Sequence, residues 1–361
     1  MRDEWWSVGV VLALCWAGCS APPRAGAVEQ PPSRPADGEV SLSRPPPVPP
    51  AAGPASRVDL DRLAEAFAAI GYEPPPGTHL LAAREVSGAH PGFDWFSLGD
   101  TGFVGSQDRY WPASTVKLIT AVAALQTMAR LGQSGAARIS FVDDDGPYFG
   151  TVRQLAFEAV RVSSNAAYNR TVLVTGFDEL NDQILPAWGL HHTVLQRRYT
   201  RPPGVTELSL RHSPPMRWTE GEARGAIPAR VGTGRHPECP NEGNCTTLFE
   251  LLEVLRRVVL HFELPPAERF ELRDADADAL RMAMLTSRSR MALGAEAAFG
   301  EVVVYNKTGT VPGDDRLDHG LVVQLETGRR FLLALALPYN TTDNSDAQEL
   351  ARQTLIALGE R

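Results

Sequence analysis

The sequence has no surplus of positive charge: 35 Lys and Arg stand against 43 Asp and Glu, a formal net charge of −8. A nucleic-acid binder needs a basic face, so that class of partner is excluded. Cysteine is scarce, with four in 361 residues. Cys15 and Cys19 fall in an apolar N-terminal stretch, which leaves only Cys239 and Cys245, in CPNEGNC. No second pair exists to build a zinc site, and His236 lacks finger spacing, so neither a metal nor another cofactor is expected. No internal repeat is visible. The apolar run at residues 5–18, WWSVGVVLALCWAG, is too short to span a bilayer comfortably.

That run has the marks of a secretory signal: it is N-terminal, apolar and closed by small residues. It ends on Ala17-Gly18-Cys19-Ser20, which resembles a bacterial lipobox, where the cysteine is acylated and becomes the new N-terminus. Trp16 departs from the aliphatic residue usual there, and Asp3 and Glu4 weaken the basic start. An ordinary cleaved signal or a short anchor is the alternative. Residues 1–19 are therefore read as a signal with Cys19 as its lipidation site, and the mature protein as an exported, periplasm-facing envelope lipoprotein. Residues 20–57, with PPPVPP at 45–50, cannot bury a core and read as an extended spacer. In an oxidising compartment Cys239 and Cys245, close together around Asn-Glu-Gly-Asn, suggest a disulfide. A loop this small contributes about 2 kcal/mol in the chain-entropy model.

The folded domain is expected over 58–361, beginning where DLDRLAEAFAAIG gives apolar residues at helical spacing. Strands are expected at 92–98, 102–104, 302–306, 320–325 and 331–337. Helices are expected at 114–131, which has no Gly or Pro, at 151–161 with Thr151 near its start, at 246–261 behind a threonine cap, and at 345–358. Strands at both ends with helices between imply an α+β fold: an antiparallel sheet flanked by helices, with an all-helical lobe inserted over about 114–290. Residues 201–245, with two Pro-Pro pairs and the cysteines, are the least regular stretch.

Three short motifs carry chemistry. Ser114 and Lys117 lie one helical turn apart behind Pro112, a favourable helix-start residue. A serine hydroxyl needs a base to take its proton, and a lysine in a tight pocket can lose enough basicity to serve. The helix start also aims backbone N–H groups at the place where an oxyanion would form. Ser163-Ser164-Asn165 follows the helix at 151–161: Ser163 offers a hydroxyl able to relay a proton, and Asn165 an amide able to grip Lys117 or a substrate carbonyl. Lys307-Thr308-Gly309-Thr310 ends a strand. There the lysine and hydroxyl suit a substrate carboxylate, the glycine permits close approach, and the next N–H can complete an oxyanion hole.

In this order and context the trio resembles the S-x-x-K, S-D-N and K-T-G set of class A β-lactamases and penicillin-binding proteins. TVRQLAFEAVRVSSNAAYN, Thr246-Thr247 before a helix, and Asp318-His319-Gly320 opening a strand extend the resemblance over roughly 58–361. It implies Ser114 as nucleophile, Lys117 and Ser163 as proton carriers, and Asn165, Lys307, Thr308, Gly309 and Thr310 as substrate contacts. Two departures stand out. Ser164 replaces the aspartate of the second motif. The glutamate that activates deacylating water in class A enzymes has no clear counterpart, since its position falls at Tyr199 in one alignment and at Val205 in another. Glu207, the lone carboxylate between Asp182 and Glu220, is the candidate base, set against its reading as a solvated loop charge. The expected function is hydrolysis of β-lactams through an acyl-enzyme with slow release, by a monomer. The alternatives are a D-alanyl-D-alanine carboxypeptidase or esterase acting on cell-wall peptide, and a non-catalytic β-lactam-binding envelope lipoprotein.

The lipobox reading predicts that Cys19→Ser moves the protein from the membrane to the soluble fraction. Mass spectrometry finding an unmodified N-terminus beyond residue 20 would contradict it.

Overall fold

The computed structural model describes residues 58–359, apart from 60–61, 87–90, 99–111, 208, 234–238, 240–242, 286–288, 311–315 and 339–341. The signal and spacer readings at 1–57, with Cys19, and the strand expected at 102–104 lie outside the described residues. In chain order the elements begin with β1 (Val58–Asp59), α1 (Arg62–Ala69), β2 (His79–Val86), β3 (Gly92–Leu98), α2 (Lys117–Arg130), β4 (Arg138–Asp143), β5 (Gly146–Thr151), α3 (Val152–Arg161) and α4 (Asn165–Thr175). They continue with α5 (Leu185–Ala187), β6 (His212–Ser213), β7 (Met216–Glu220), β8 (Ala223–Ile227), β9 (Arg230–Val231), α6 (Leu248–Val259), α7 (Asp274–Leu285) and α8 (Arg290–Phe299). The C-terminal part adds β10 (Val302–Thr310), β11 (Arg316–Gln324), β12 (Arg330–Leu337) and α9 (Asn344–Gly359).

The main sheet runs β1-β3-β2-β12-β11-β10, antiparallel throughout except for the two-residue β1 beside β3. Its centre, β12, reads RFLLALAL and is buried from Phe331 to Leu337, as a strand covered on both faces must be. Side chains alternate across a strand. Leu332, Ala334 and Ala336 accordingly enter the larger core with α2 and α6, while Phe331, Leu333, Leu335 and Leu337 pack on the other face with α1, α8 and α9. Helix α2 is buried all round from Lys117 to Met128, and its alanines let neighbouring helices approach. The expected caps are present: Thr151 accepts from the Gln154 N–H and Thr247 from the Glu250 N–H, each of a kind that contributes about 1 kcal/mol.

The architecture is α+β as expected, but the segment between β3 and β10 is not all-helical. It carries a second sheet, β5-β4-β7-β8, and a short β6-β9 ladder. The hairpin β7-β8 falls in the stretch read as irregular. Its alternation, with Met216 and Trp218 buried between exposed Arg217 and Thr219, is a strand period. Pro214-Pro215 and the surrounding arginines obscured that period in the sequence. The strand expected at 302–306 runs on to Thr310, so the K-T-G residues end β10 as paired strand, in register through Thr310↔Arg316.

Helices α8 and α9 touch at Gly294, where a Cβ would lie 2.9 Å from the Ala351 Cβ, 3.0 Å from the Arg352 nitrogen and against the Gln348 carbonyl. On an open helix Gly→Ala gains about 1 kcal/mol. Here overpacking of about 1–3 kcal/mol outweighs that gain, so Gly294→Ala is expected to lower the melting temperature in thermal denaturation.

Candidate active site

The site begins at the turn that starts α2. Pro112 leads into a 3-10 turn over Ala113–Val116, and the Thr115 hydroxyl donates back to the Pro112 carbonyl. Ala113 sits at φ 48°, a left-handed conformation rare for a residue with a Cβ and of the kind that concentrates at functional sites. Ser114 follows, half-buried in otherwise buried surroundings. Lys117, the first residue of α2, is fully buried.

The Lys117 amine is enclosed by acceptors from the junction between α3 and α4. It donates to the Ser163 carbonyl, to Asn165 Oδ1 at 2.5 Å and to Ser163 Oγ at 3.3 Å. Ser163 is the second left-handed non-glycine residue, at φ 57°, and this backbone lets its carbonyl and its hydroxyl serve the same amine. The next residue, Ser164, caps α4 by accepting from the Ala167 N–H, which pins Asn165 at the helix start. From the sheet, Lys307 Nζ donates to the same Ser163 Oγ at 3.0 Å and to the Thr308 carbonyl at 2.7 Å. Two amines thus converge on one hydroxyl. Burial, reinforced by the charge of Lys307, pushes the Lys117 pKa down to about 7.

Lys307 is also buried, and burial brings it down to about 8 against the opposing pull of Asp318. Asp318, on the neighbouring strand, is itself buried and raised to about 6, even though Ser289 and Asn306 hydrogen-bond to it. At neutral pH it supplies Lys307 with a buried negative charge. His319, paired across from Lys307, is pushed down to about 3 by burial and so is neutral. Gly309 lies against the serine turn: a Cβ there would meet Thr115 Cγ2 at 3.0 Å, Ala113 Cβ at 3.1 Å and the Pro112 oxygen at 3.1 Å. Only a residue without a side chain lets β10 run this close to Ser114.

The fold therefore gathers Ser114, Lys117, Ser163, Asn165, Lys307 and Gly309, with Thr308 and Thr310 on the same strand. Glu207 is not part of this cluster. It is exposed, its carboxylate 3.7 Å from His212 Nε2, and it bonds to none of the gathered groups. Cys239 and Cys245 are joined in a disulfide, with Cα atoms 5.7 Å apart. The sequence reading missed three contributors. Tyr199 was weighed only as the place of an absent carboxylate, yet its hydroxyl donates to the Ala113 carbonyl and Lys117 Nζ lies 5.5 Å from its ring centre. Asn169 takes the Tyr199 N–H on its Oδ1 at 3.0 Å; its spacing of four from Asn165 on one helix was the available signal. Asn244, inside the disulfide loop, accepts the N–H groups of Gln196 and Arg197 at 2.8 and 2.9 Å, a contact that no local pattern announces.

The family model described as Beta-lactamase enzyme family matches residues 97–357. Comparison with curated proteins finds no match. Among solved structures, a PBP-A variant in acyl-enzyme complex with penicillin G aligns with a TM-score of 0.53 at 18% identity, over 87% of this chain and 99% of that one. A β-lactamase from Sphaerobacter thermophilus DSM 20745 aligns with 0.53 at 18% identity, over 84% and 99%. A class A β-lactamase from Bacteroides cellulosilyticus DSM 14838 gives 0.52 at 14%, over 84% and 98%. At these identities the likeness speaks for the fold alone.

The paired lysines predict a pH profile. With Lys117 as the base for Ser114, the rate of acylation should rise as pH passes about 7, where that amine loses its proton. A reagent bearing a carboxylate also needs Lys307 charged, so its rate should fall again as pH passes about 8. An uncharged acylating reagent should show the rise without the fall. Rapid-mixing kinetics with both reagents would check this, and identical profiles would contradict it.

Proposed function

The chain belongs to the beta-lactamase enzyme family and is a serine hydrolase; on that premise we propose that it opens β-lactams through an acyl-enzyme on Ser114 and releases the product slowly. The observation that carries this reading is the convergence of Lys117 and Lys307 on the Ser163 hydroxyl, beside the serine turn. The neutral Lys117 amine takes the Ser114 proton, directly or through the Ser163 hydroxyl, and Oγ attacks the lactam carbonyl carbon. The backbone N–H groups of Ser114 and Thr310 stabilise the negative oxygen that develops. The C–N bond breaks, the proton passes through Ser163 to the ring nitrogen, and the acyl group stays on Ser114. Charged Lys307, with Thr308, binds the substrate carboxylate, and Gly309 leaves room for the substrate alongside β10. Asn165 orients Lys117.

Hydrolysis of the ester needs water within reach of a base. Among the described residues no carboxylate bonds to Lys117, Ser163 or Asn165, and exposed Glu207 stands with His212 instead, which supports slow release. The same observation favours a second reading, an ester or D-alanyl peptide substrate for which Lys117 and Ser163 serve both half-reactions. The N-terminal apolar run and Cys19 support export and lipid anchoring in the envelope.

Incubated with a penicillin, the protein is expected to gain one covalent adduct, on Ser114, that decays slowly by mass spectrometry. Ser114→Ala should abolish it. Lys117→Ala should slow its formation by at least about a hundredfold, the scale of losing a positioned base. A chromogenic cephalosporin should give a burst followed by slow turnover. Fast turnover that is lost in Glu207→Gln, with the acyl-enzyme trapped, would overturn the slow-release reading.

A further inference from the structure

We propose that Tyr199 is a positioning residue that closes the water side of the Ser114 site, so that an acyl group on the serine is held in place. The inference rests on the acyl-enzyme reading above and adds to it a physical cause for slow release.

The phenol is held at its hydroxyl and on one ring face. Its hydroxyl donates to the carbonyl of Ala113, the residue before the nucleophile. One ring face stacks on Tyr168, centroids 4.5 Å apart at 24°, and the ring lies 5.5 Å from Lys117 Nζ. The backbone is held as tightly. The Tyr199 N–H donates to Asn169 Oδ1 at 3.0 Å, and its carbonyl accepts from Asn165 Nδ2 at 3.4 Å. Upstream, Asn244 holds the Gln196 and Arg197 N–H groups on its Oδ1, and its Nδ2 donates to the Tyr168 hydroxyl at 2.9 Å and the Arg197 carbonyl at 3.1 Å. The disulfide loop that supplies Asn244 therefore fixes both tyrosines of the stack.

A water that attacks an ester on Ser114 must touch a base and the ester carbon together. The gathered cluster offers one base, Lys117. Three of its approaches are taken by the Ser163 carbonyl, the Ser163 hydroxyl and Asn165 Oδ1. Tyr199 lies beside the same amine and reaches the residue adjoining the nucleophile, so its ring fills the space such a water needs. The phenol does not replace the base it excludes. Burial holds its pKa above the ordinary tyrosine range, and its proton is engaged by the Ala113 carbonyl.

The test separates formation of the penicillin adduct from its decay, by mass spectrometry of the full chain. In Tyr199→Ala the adduct, whatever the rate at which it forms, should decay faster by on the order of a hundredfold, the lower end of what base-assisted proton transfer supplies. That decay should quicken as pH passes about 7, where Lys117 becomes able to accept a proton from water. Tyr199→Phe keeps the ring and should keep slow decay. Tyr199→Leu keeps apolar contact with Tyr168 and guards against misfolding of the alanine variant; it should decay at an intermediate rate. Unchanged decay in a folded Tyr199→Ala or Tyr199→Leu that still forms the adduct would overturn the inference and leave the acyl-enzyme reading intact. A parent protein that forms no adduct would overturn that reading and the inference with it.

Discussion

The site depends on an amine taken out of water. A buried charge is costly unless it is paired, and a second amine shares the hydroxyl that Lys117 approaches, so Lys117 loses its proton at about pH 7 and a large share of it is uncharged near neutrality. That single constraint makes a base out of a residue that is ordinarily an acid. It also fits the company Lys117 keeps: a carbonyl and an amide oxygen that can accept its two remaining N–H groups, and a hydroxyl that can donate to its lone pair, none of them able to neutralise a charge. Lys307 is lowered as well, but less far. Asp318 lies behind it, and that buried carboxylate preserves its positive charge. Two lysines a few ångströms from one hydroxyl thus both lose basicity, and the one with the counter-charge keeps its proton to the higher pH.

Holding such a cluster requires backbone that would not form unaided. Ala113 and Ser163 both adopt left-handed conformations, and each is the residue whose carbonyl points into the site. Conformations of this kind cost of order 1–3 kcal/mol each and persist only where the surroundings over-determine them. The over-determination is visible here. Below Ala113 lie β10 at Gly309 and above it Tyr199; Ser163 is tied between the capped start of α4 and both lysines. The buried all-round helix α2 acts as the rigid post from which Ser114 and Lys117 are presented.

Much of this was legible in the sequence, and the reason is locality. Each of the three motifs lies within a few consecutive residues at a helix start, a helix junction or a strand, so spacing alone specifies the geometry of its members. The caps Thr151 and Thr247 and the run of β12 were legible for the same reason. What escaped was long-range or masked. The β7-β8 hairpin is a short period of two, hidden behind Pro214-Pro215. Asn244 meets Gln196 and Arg197 across a separation of nearly fifty residues, and nothing in CPNEGNC announces that its asparagine is a clamp. Tyr199 was read for the carboxylate it is not, and only the fold revealed a phenol with a hydrogen bond of its own. Asp318 was noticed as part of a pattern, whereas its burial behind Lys307 is a property of the sheet.

The order of strands in the main sheet bears on how the molecule is made. The central strand, β12, joins β2 to β11, so the β2-β3 hairpin finds its partner far along the chain, Arg84 opposite Phe331. Lys307 and Gly309 stand on the outer strand of that late-forming half. Contacts so distant in sequence form slowly, because the closure of a long loop must precede them. A growing chain therefore carries the serine, the lysine and their helix well before the strand that completes the site can join the sheet.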